Sequence, residues 1–464
     1  MLRKLTFCTA LVAGSISIPA ARAIELVQPE LVAPVRPGEQ TPSMQPANAP
    51  PRPGGEVRLQ APRPMIVQSH EAAPHALLAS GCEACESCDS GCSTYNYGGW
   101  TLDNCSLGEA WALEDCLTPC CDTTNYGGWV SIGYHNNFER LSDENTQGLS
   151  FNDRPDNLNL HQAWLYFERV ANGDDGCADW GYRFDIMYGL DAQKTQSYGN
   201  PRAFTPNQGR WDASLDHGAY GWAMPQAYLE YAQGDLRVKA GHFYTPLGYE
   251  VVQATGNFFY SHSLTFFNSE PFTHTGMLAT YKVSDGVTLY GGWTLGWDTG
   301  FDQFGGGSNF LGGFSATVAE DVTYTYLATA GDLGWRGEGY SHSNVLNFKL
   351  SDCLTYILQS DYVNANTPAA FDNEDLGINQ YLIYKLNDRW SLGSRMEWWK
   401  SNNPTGAAAS YYELTGGINY RPHANLVIRP EVRYDWTPSN QAYEGLFGVD
   451  YNQFVFGIDA VLSF

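Results

Sequence analysis

Residues 453–464 read Gln-Phe-Val-Phe-Gly-Ile-Asp-Ala-Val-Leu-Ser-Phe. The run alternates strictly. Phe454, Phe456, Ile458, Ala460, Leu462 and Phe464 share one face, and Gln453, Val455, Gly457, Asp459, Val461 and Ser463 share the other. Period-two alternation marks a strand with two different environments. In a soluble sheet a row of Phe on an end strand would invite edge-to-edge association. In a membrane barrel the same row faces lipid, and closure removes the edge.

The start of the chain agrees. Arg3 and Lys4 precede an apolar run from Leu5 to Ile18, followed by Ala21-Arg22-Ala23. This is the order of a secretory signal peptide, residues 1–23, with cleavage expected after Ala23. A transmembrane anchor is the alternative, but the run is too short to span. Cys8 lies inside this segment without a lipoprotein box and reads as incidental. No other stretch has the length and apolarity of a spanning helix. A membrane protein without such helices is expected to be a closed β-barrel. An exported chain ending in a strand that stops at Phe resembles the C-terminal signature of bacterial outer-membrane barrels.

Composition fits that class. Aromatic residues make up 14% of the chain, with 29 Tyr and 14 Trp, which suits interfacial girdles. The formal net charge of -24 argues against a nucleic-acid partner, which needs a basic footprint. Acidic residues gather in connections such as Asp372, Glu374 and Asp375. There they read as solvated loop charge, with divalent-cation binding as the alternative.

Residues 24–80 form a Pro-rich arm, including Ala49-Pro50-Pro51-Arg52-Pro53, that cannot bury enough apolar area to order itself. A periplasmic linker is expected, with cell-wall binding as a further role. Residues 81–124 form a Cys-rich segment holding Cys82, Cys85, Cys88, Cys92, Cys105, Cys116, Cys120 and Cys121; Cys177 and Cys353 lie downstream. Export makes disulfides the default for all ten. The spacing Cys82-x-x-Cys85-x-x-Cys88 also suits zinc or an iron–sulfur cluster, but no His accompanies it and the compartment is oxidising. Connectivity cannot be read from spacing. Cys177 and Cys353 are expected to join that cluster or each other.

From Asn125 to Phe464 the chain repeats alternating strand, brief turn, alternating strand, long loop. Trp180, Tyr182, Phe184, Ile186, Tyr188 and Leu190 oppose Gly181, Arg183, Asp185, Met187, Gly189 and Asp191. Lipid opposite a water-filled lumen explains bulky aromatics facing away from charges. The pattern predicts about sixteen strands, the third over 179–191. Joins such as Gln233-Gly234-Asp235 and Ala319-Glu320 are tight, whereas 192–222, 245–272 and 437–452 are long. Tight turns on one side and long loops on the other put the turns and both termini in the periplasm. Pro430 removes a ladder donor and is a weak point of the fifteenth strand.

Gly241-His242-Phe243-Tyr244-Thr245-Pro246-Leu247-Gly248-Tyr249-Glu250, Phe259-Tyr260-Ser261-His262-Ser263, Pro271-Phe272-Thr273-His274-Thr275-Gly276 and Gly296-Trp297-Asp298 resemble the OmpL-like family of β-barrel porins. The resemblance covers roughly residues 125–464. It implies a barrel and a pore, without a particular solute.

Parity sends Arg183, Asp185, Arg237, Lys239, Lys349, Lys385, Arg395, Glu397, Arg429, Glu431, Arg433 and Asp435 into the lumen. Arg395, Arg429 and Arg433 are expected to form a basic ladder. Opposed charges across a narrow pore would select permeants, whereas internal salt bridges would only satisfy one another. The connection 245–272 is expected to fold inward as a constriction loop carrying Glu250, Phe259, Tyr260 and Glu270. Its Phe258, Phe259, Tyr260, Leu264, Phe266 and Phe267 need an apolar surface, and its two acids are expected to face the ladder. Ser261-His262-Ser263 is the only cluster suggesting a nucleophile, but adjacent residues of an extended strand face apart, so no enzyme, metal or cofactor is expected. The reading is an all-β outer-membrane porin for passive diffusion of small solutes or ions, surrounded by lipid, with homo-oligomerisation open. The alternative is a structural or adhesive envelope protein with an occluded barrel.

Overall fold

The computed structural model describes residues 124–136, 152–173, 176–199, 211–303, 305–366, 372–402, 409–438 and 452–464, with short stretches between 96 and 113. The leader, the Pro-rich arm and the eight cysteines of 81–124 lie outside the described residues.

Sixteen antiparallel strands close into one barrel. They are β1 (Asn125–His135), β2 (Asn159–Arg169), β3 (Asp179–Gly189), β4 (Gly221–Gln233), β5 (Leu236–Tyr244), β6 (Thr273–Ser284), β7 (Val287–Thr294) and β8 (Ser308–Ala319). There follow β9 (Val322–Asp332), β10 (Glu338–Lys349), β11 (Leu354–Asn366), β12 (Asp372–Lys385), β13 (Trp390–Ser401), β14 (Ala409–His423), β15 (Leu426–Trp436) and β16 (Asn452–Ser463). Each strand pairs with its sequence neighbours, and β16 returns to β1 from Gly457↔His135 to Ser463↔Trp129. Phe464 seals the seam by exchanging two backbone hydrogen bonds with Gly128. Short helices α1 (Leu190–Thr195) and α2 (Leu264–Ser269) sit in the connections after β3 and β5.

The alternation sorts the faces as expected. On β16, Phe454 is 45% exposed on the outer wall, whereas Asp459, one face over, is 2% exposed. One local reading, the end of the third strand, changes. The third strand stops at Gly189, two residues early, because φ there is +150° and a Cβ would strike the backbone of His161. Leu190 and Asp191 therefore open α1 rather than extend the strand. Pro430 stays within β15 and pairs with Ile458 of β16. The β14–β15 ladder skips from Gly417↔Glu431 to Tyr420↔Ile428, the local consequence of a missing donor. β8 and β9 pair from Ser308↔Asp332 to Ala319↔Val322, across the tight join at Ala319-Glu320.

The short-turn rim carries several N-terminal contacts. Ala424 N donates to Leu107 O at 3.0 Å, and the Asn425 side chain bonds both backbone groups of Trp111, at 3.0 and 2.7 Å. Cys353, in the β10–β11 turn, is disulfide-bonded. Cys177, in the β2–β3 turn, is exposed at the same rim. Lys349 and Lys385 also belong to this rim, each reaching an aspartate three residues on, Asp352 and Asp388, at 2.7 Å. They end the lumen faces of β10 and β12 rather than line the passage.

Candidate functional site

The connection between β5 and β6, residues 245–272, folds inside the barrel and is held by side chains from most of its circumference. Three arginines do much of this. Arg395 of β13 is fully buried and donates to Glu250 at 2.7 Å, to the backbone oxygen and hydroxyl of Ser261 at 2.8 and 3.0 Å, and to Glu413 of β14 at 2.8 Å. Arg429 of β15 holds Ala254 O at 2.7 Å and Asn257 O at 2.8 Å while pairing with Asp459 at 2.6 Å. Arg433 donates to His262 O and pairs with Asp435 at 2.8 Å. The expected ladder therefore exists as a row of residues, but its charge is spent on the loop and on neighbouring acids.

The acids of the same wall receive the loop's backbone. Glu431 accepts from the N–H groups of Tyr260 and Ser261 at 2.9 and 3.1 Å, and Glu397 accepts from Leu264 and Thr265 at 2.6 Å each, at the start of α2. A carboxylate that accepts two N–H groups satisfies donors that the lumen would otherwise leave unpaired. Across the barrel, Gln162 of β2 donates to Val252 O at 2.6 Å and accepts from Ala254 N at 3.0 Å.

Glycine makes room for the rings. A Cβ on Gly393 would strike Phe258, one on Gly417 would press Phe259, and one on Gly133 or Gly457 would come within 2.8 Å of Tyr260. These glycines lie on the lumen faces of β13, β14, β1 and β16. They hollow the wall where the loop's aromatics dock. Phe259 and Tyr260 are accordingly buried, with Arg395 standing 5.1 Å over the Phe259 ring and the Tyr260 hydroxyl 2.6 Å from His161 Nε2.

Glu250 is the pivot of this arrangement. Burial would raise its pKa, but Arg395, His262 and the Ser263 N–H outweigh that and hold it down at about 2. Tyr381 also donates to it at 3.1 Å. Glu270 does not meet the arginines as expected; it accepts from Gln359 of β11 at 2.5 Å. Glu270 directly follows α2, at the other end of the loop from Glu250.

The Ser261-His262-Ser263 cluster does not assemble a nucleophile. His262 lies 3.2 Å from Glu250, but the Ser261 hydroxyl accepts from Arg395 and the Ser263 hydroxyl accepts from Phe266 N in capping α2. Of the other lumen charges, Arg183 bridges Glu168 at 2.6 Å and Asp185 at 2.7 Å, Lys239 lies 4.7 Å over the Tyr228 ring, and Arg237 donates to Ala171 O at 2.5 Å near the rim. Sequence reasoning passed over Glu413 and Asp459, although their strand parity marked both, and over Arg336, which leaves the β9–β10 connection to pair with Asp375. Among the described residues no three His, Cys, Asp or Glu side chains converge as a metal cluster. A cavity with room for about one water remains beside the loop, lined in part by His161, Asp191, Tyr260, Arg429 and Asp459.

Comparison with known proteins agrees with this architecture. No curated protein matches the chain. Among solved structures it is similar to in-vitro folded OmpT of Vibrio cholerae in its trimer form, at 11% identity over 74% of this chain and 99% of that one, TM-score 0.48. It is similar to the outer-membrane channel DcaP of Acinetobacter baumannii, at 13% identity over 74% and 97%, TM-score 0.47. It is also similar to an anion-selective porin from Comamonas acidovorans, at 10% identity over 74% and 99%, TM-score 0.48. The barrel stands on its own ladder and needs no support from these likenesses. A family model described as "Putative beta-barrel porin-2, OmpL-like" matches residues 123–464. A closed barrel with an apolar outer wall, a charged lumen and this match has one reading: the chain belongs to that porin family and is an outer-membrane channel.

Proposed function

We propose that this porin passes small solutes or ions by passive diffusion and that residues 245–272 set the size limit. The carrying observation is the loop's position: its backbone is bonded to β2, β13 and β15 from inside the lumen. Such a loop leaves only a narrow route, so large substrates are excluded sterically and charge acts on what remains. Deleting residues 253–268 tests this in planar bilayers. Raised single-channel conductance with normal assembly supports the reading, and unchanged conductance and selectivity sink it. An envelope protein with an occluded barrel is the second reading, favoured by the near-complete burial of lumen side chains at the loop's height, such as Arg395, Glu413 and Asp435. A silent full-length protein whose deletion variant conducts would establish that one.

Homo-oligomerisation is also proposed, through the outer face of β9–β12. His342, Asn344, Ser360 and Gln380 point outward at mid-wall, where Leu, Met and Phe stand on β13–β16. Tyr324 donates to Asn344 at 2.7 Å and Tyr356 to Gln380 at 2.8 Å, while His342 Nδ1 is buried without a partner. Lipid offers such groups nothing, whereas a second copy can. Asn344→Cys should cross-link between copies in native membranes; a monomer that never cross-links there refutes the interface. The disulfide partner of Cys353 is proposed to be a cysteine of residues 81–124, because that segment meets the same rim at Leu107 and Trp111. Non-reducing peptide mapping that joins Cys353 to no peptide of that segment would refute it.

A further inference from the structure

Several acids at the loop meet cations or backbone donors. Glu250, Glu413, Asp435 and Asp459 each meet a guanidinium. Glu397 and Glu431 each meet two backbone N–H groups. At the other end of the loop, Glu270 lies beside a second acid, Asp361 of β11. What joins them is a neutral amide. Gln359 Nε2 donates to Glu270 Oε1 at 2.5 Å and to Asp361 Oδ2 at 2.5 Å. The amide cannot turn round, because its own oxygen accepts from Tyr249 N at 3.1 Å. Two carboxylates that share one nitrogen at that distance stand at most about 5 Å apart. Glu270 and Asp361 are each 2% exposed, so water does little to separate their charges.

Two further observations point to something between them. Asp361 Oδ1 is buried with no hydrogen-bond partner. Asn379, directly across the β11–β12 ladder from Gln359 and on the same lumen face, is fully buried, and neither its amide oxygen nor its amide nitrogen has a partner. Cross-strand pairs on one face lie about 5 Å apart at Cβ and diagonal ones about 7–8 Å, so Asn379 sits directly beside Gln359, one diagonal step from Asp361, and faces Glu397 across β12–β13. Unsatisfied buried polar groups are rare and call for a cause.

We propose that this cluster is a binding site for one divalent cation of calcium size. Its ligands are the carboxylates of Asp361 and Glu270 and the amide oxygen of Asn379. All three are hard oxygen donors, and calcium takes such ligands at 2.3–2.6 Å with water completing the shell. Two negative charges balance the ion. Gly248 is part of the design: a Cβ there would strike the Glu270 carboxylate, so only glycine lets the acid lie in this position. The ion would fasten the C-terminal end of the loop, through Glu270, to β11 and β12, as the arginines fasten the middle to β13 and β15. The inference rests on the loop lying in the lumen and not on what the pore conducts.

The test is equilibrium dialysis of the refolded full-length protein in detergent against calcium, after chelation, with magnesium as competitor. One saturable calcium per chain is expected. Asp361→Asn should abolish it, and Asn379→Ala should weaken it at least about tenfold, the scale on which metal sites respond to loss of a supporting ligand. The Asn379 side chain makes no hydrogen bond, so its variant keeps the test alive if Asp361→Asn fails to fold. Asp285→Asn, in the exposed β6–β7 turn, should leave binding unchanged. No saturable binding, or binding that survives both Asp361→Asn and Asn379→Ala, overturns the site, and an acid pair sharing a proton then replaces it. Because no conductance is read, a failure here leaves the constriction untouched, and an unchanged conductance in the loop deletion leaves this site untouched.

Discussion

Two arcs of the same wall treat the inserted loop differently. The arc running from β11 through β16 to β2 grips it with arginines, acids and Gln162, and is hollowed by glycine to receive its rings. The arc from β4 to β9 meets it mainly with apolar contacts, Leu247 of the loop packing in a cluster with Tyr228, Phe243, Leu278, Leu311 and Leu327, beside a hydrogen bond at the loop's start, Thr245 Oγ1 to His274 Nε2 at 2.8 Å. Below that cluster the lumen faces carry short hydroxyl residues such as Thr288, Ser315 and Thr325, which are partly exposed. Hydrogen-bonded charge pairs have one good geometry, whereas apolar contacts are non-directional. The middle of the loop is thus registered against the first arc, and the second holds it mainly by apolar packing. Any passage that widens should widen along the leucine arc.

Removing the loop breaks this comparison outright and should have the largest effect. Deletion of 253–268 takes away Ala254, Asn257, Tyr260, Ser261 and His262, the partners of Gln162, Arg429, Glu431, Arg395 and Arg433. Conductance should rise several-fold. Ion selectivity should also change, because those arginines would then face the water of the pore.

Detaching the gripping arc while keeping the loop comes next. Arg395→Gln leaves Glu250 and Glu413 buried without their shared cation. Breaking a buried pair by removing one partner costs about 3–5 kcal/mol. Thermal unfolding should fall accordingly, and single-channel traces should become noisier as the loop loosens. Leu327→Ala, on the leucine arc, should widen the pore without adding noise. Equal noise in both variants would erase the distinction between the arcs.

Much of this was legible before the fold. Period two placed sixteen strands and sorted their faces, because the lipid and lumen environments differ at every position. The loop's aromatics announced an internal surface. Glu250 and Arg395 were both singled out, one as a loop acid and one as a lumen cation, and they do meet. What stayed hidden depends on height and on contacts between distant segments. Glu270 found Gln359 where an arginine was expected, since the path of a loop is not contained in its sequence pattern. Gly393, Gly417 and Gly457 carry no local sign of the rings that lie against them. The end of β3 depended on the close approach of Gly189 to His161, a contact that no local pattern contains.

Acid should loosen the gripping arc in a defined window. Glu250 ionises at about 2 in the folded chain against an ordinary value of 4.5. A depressed carboxyl contributes stability above its unfolded value and loses it as pH falls through the folded one. A shift of this size corresponds to roughly 3 kcal/mol, present above pH 4.5 and gone near pH 2. Conductance noise should grow over that interval, and Glu250→Gln should show the noisy state already at neutral pH. A wild-type trace that stays quiet down to pH 2 would mean that Glu250 is not what registers the loop.

The smallest effect should come from filling one socket. Gly393→Ala places a methyl group where the Phe258 ring lies, and that ring is only partly buried, so it can swing toward the lumen. Overpacking of this kind costs about 1–3 kcal/mol, and the low end applies where the neighbour can move. Gly457→Ala meets a ring with less freedom. Tyr260 is bonded through its hydroxyl to His161 and through its N–H to Glu431, and it is 6% exposed. Its displacement would strain two anchors at once. Gly457→Ala should therefore destabilise more than Gly393→Ala in chemical unfolding, although both add one methyl group to the same face of the same barrel. If the two cost the same, the glycines serve the strands rather than the rings, and the gripping arc is defined by its arginines alone.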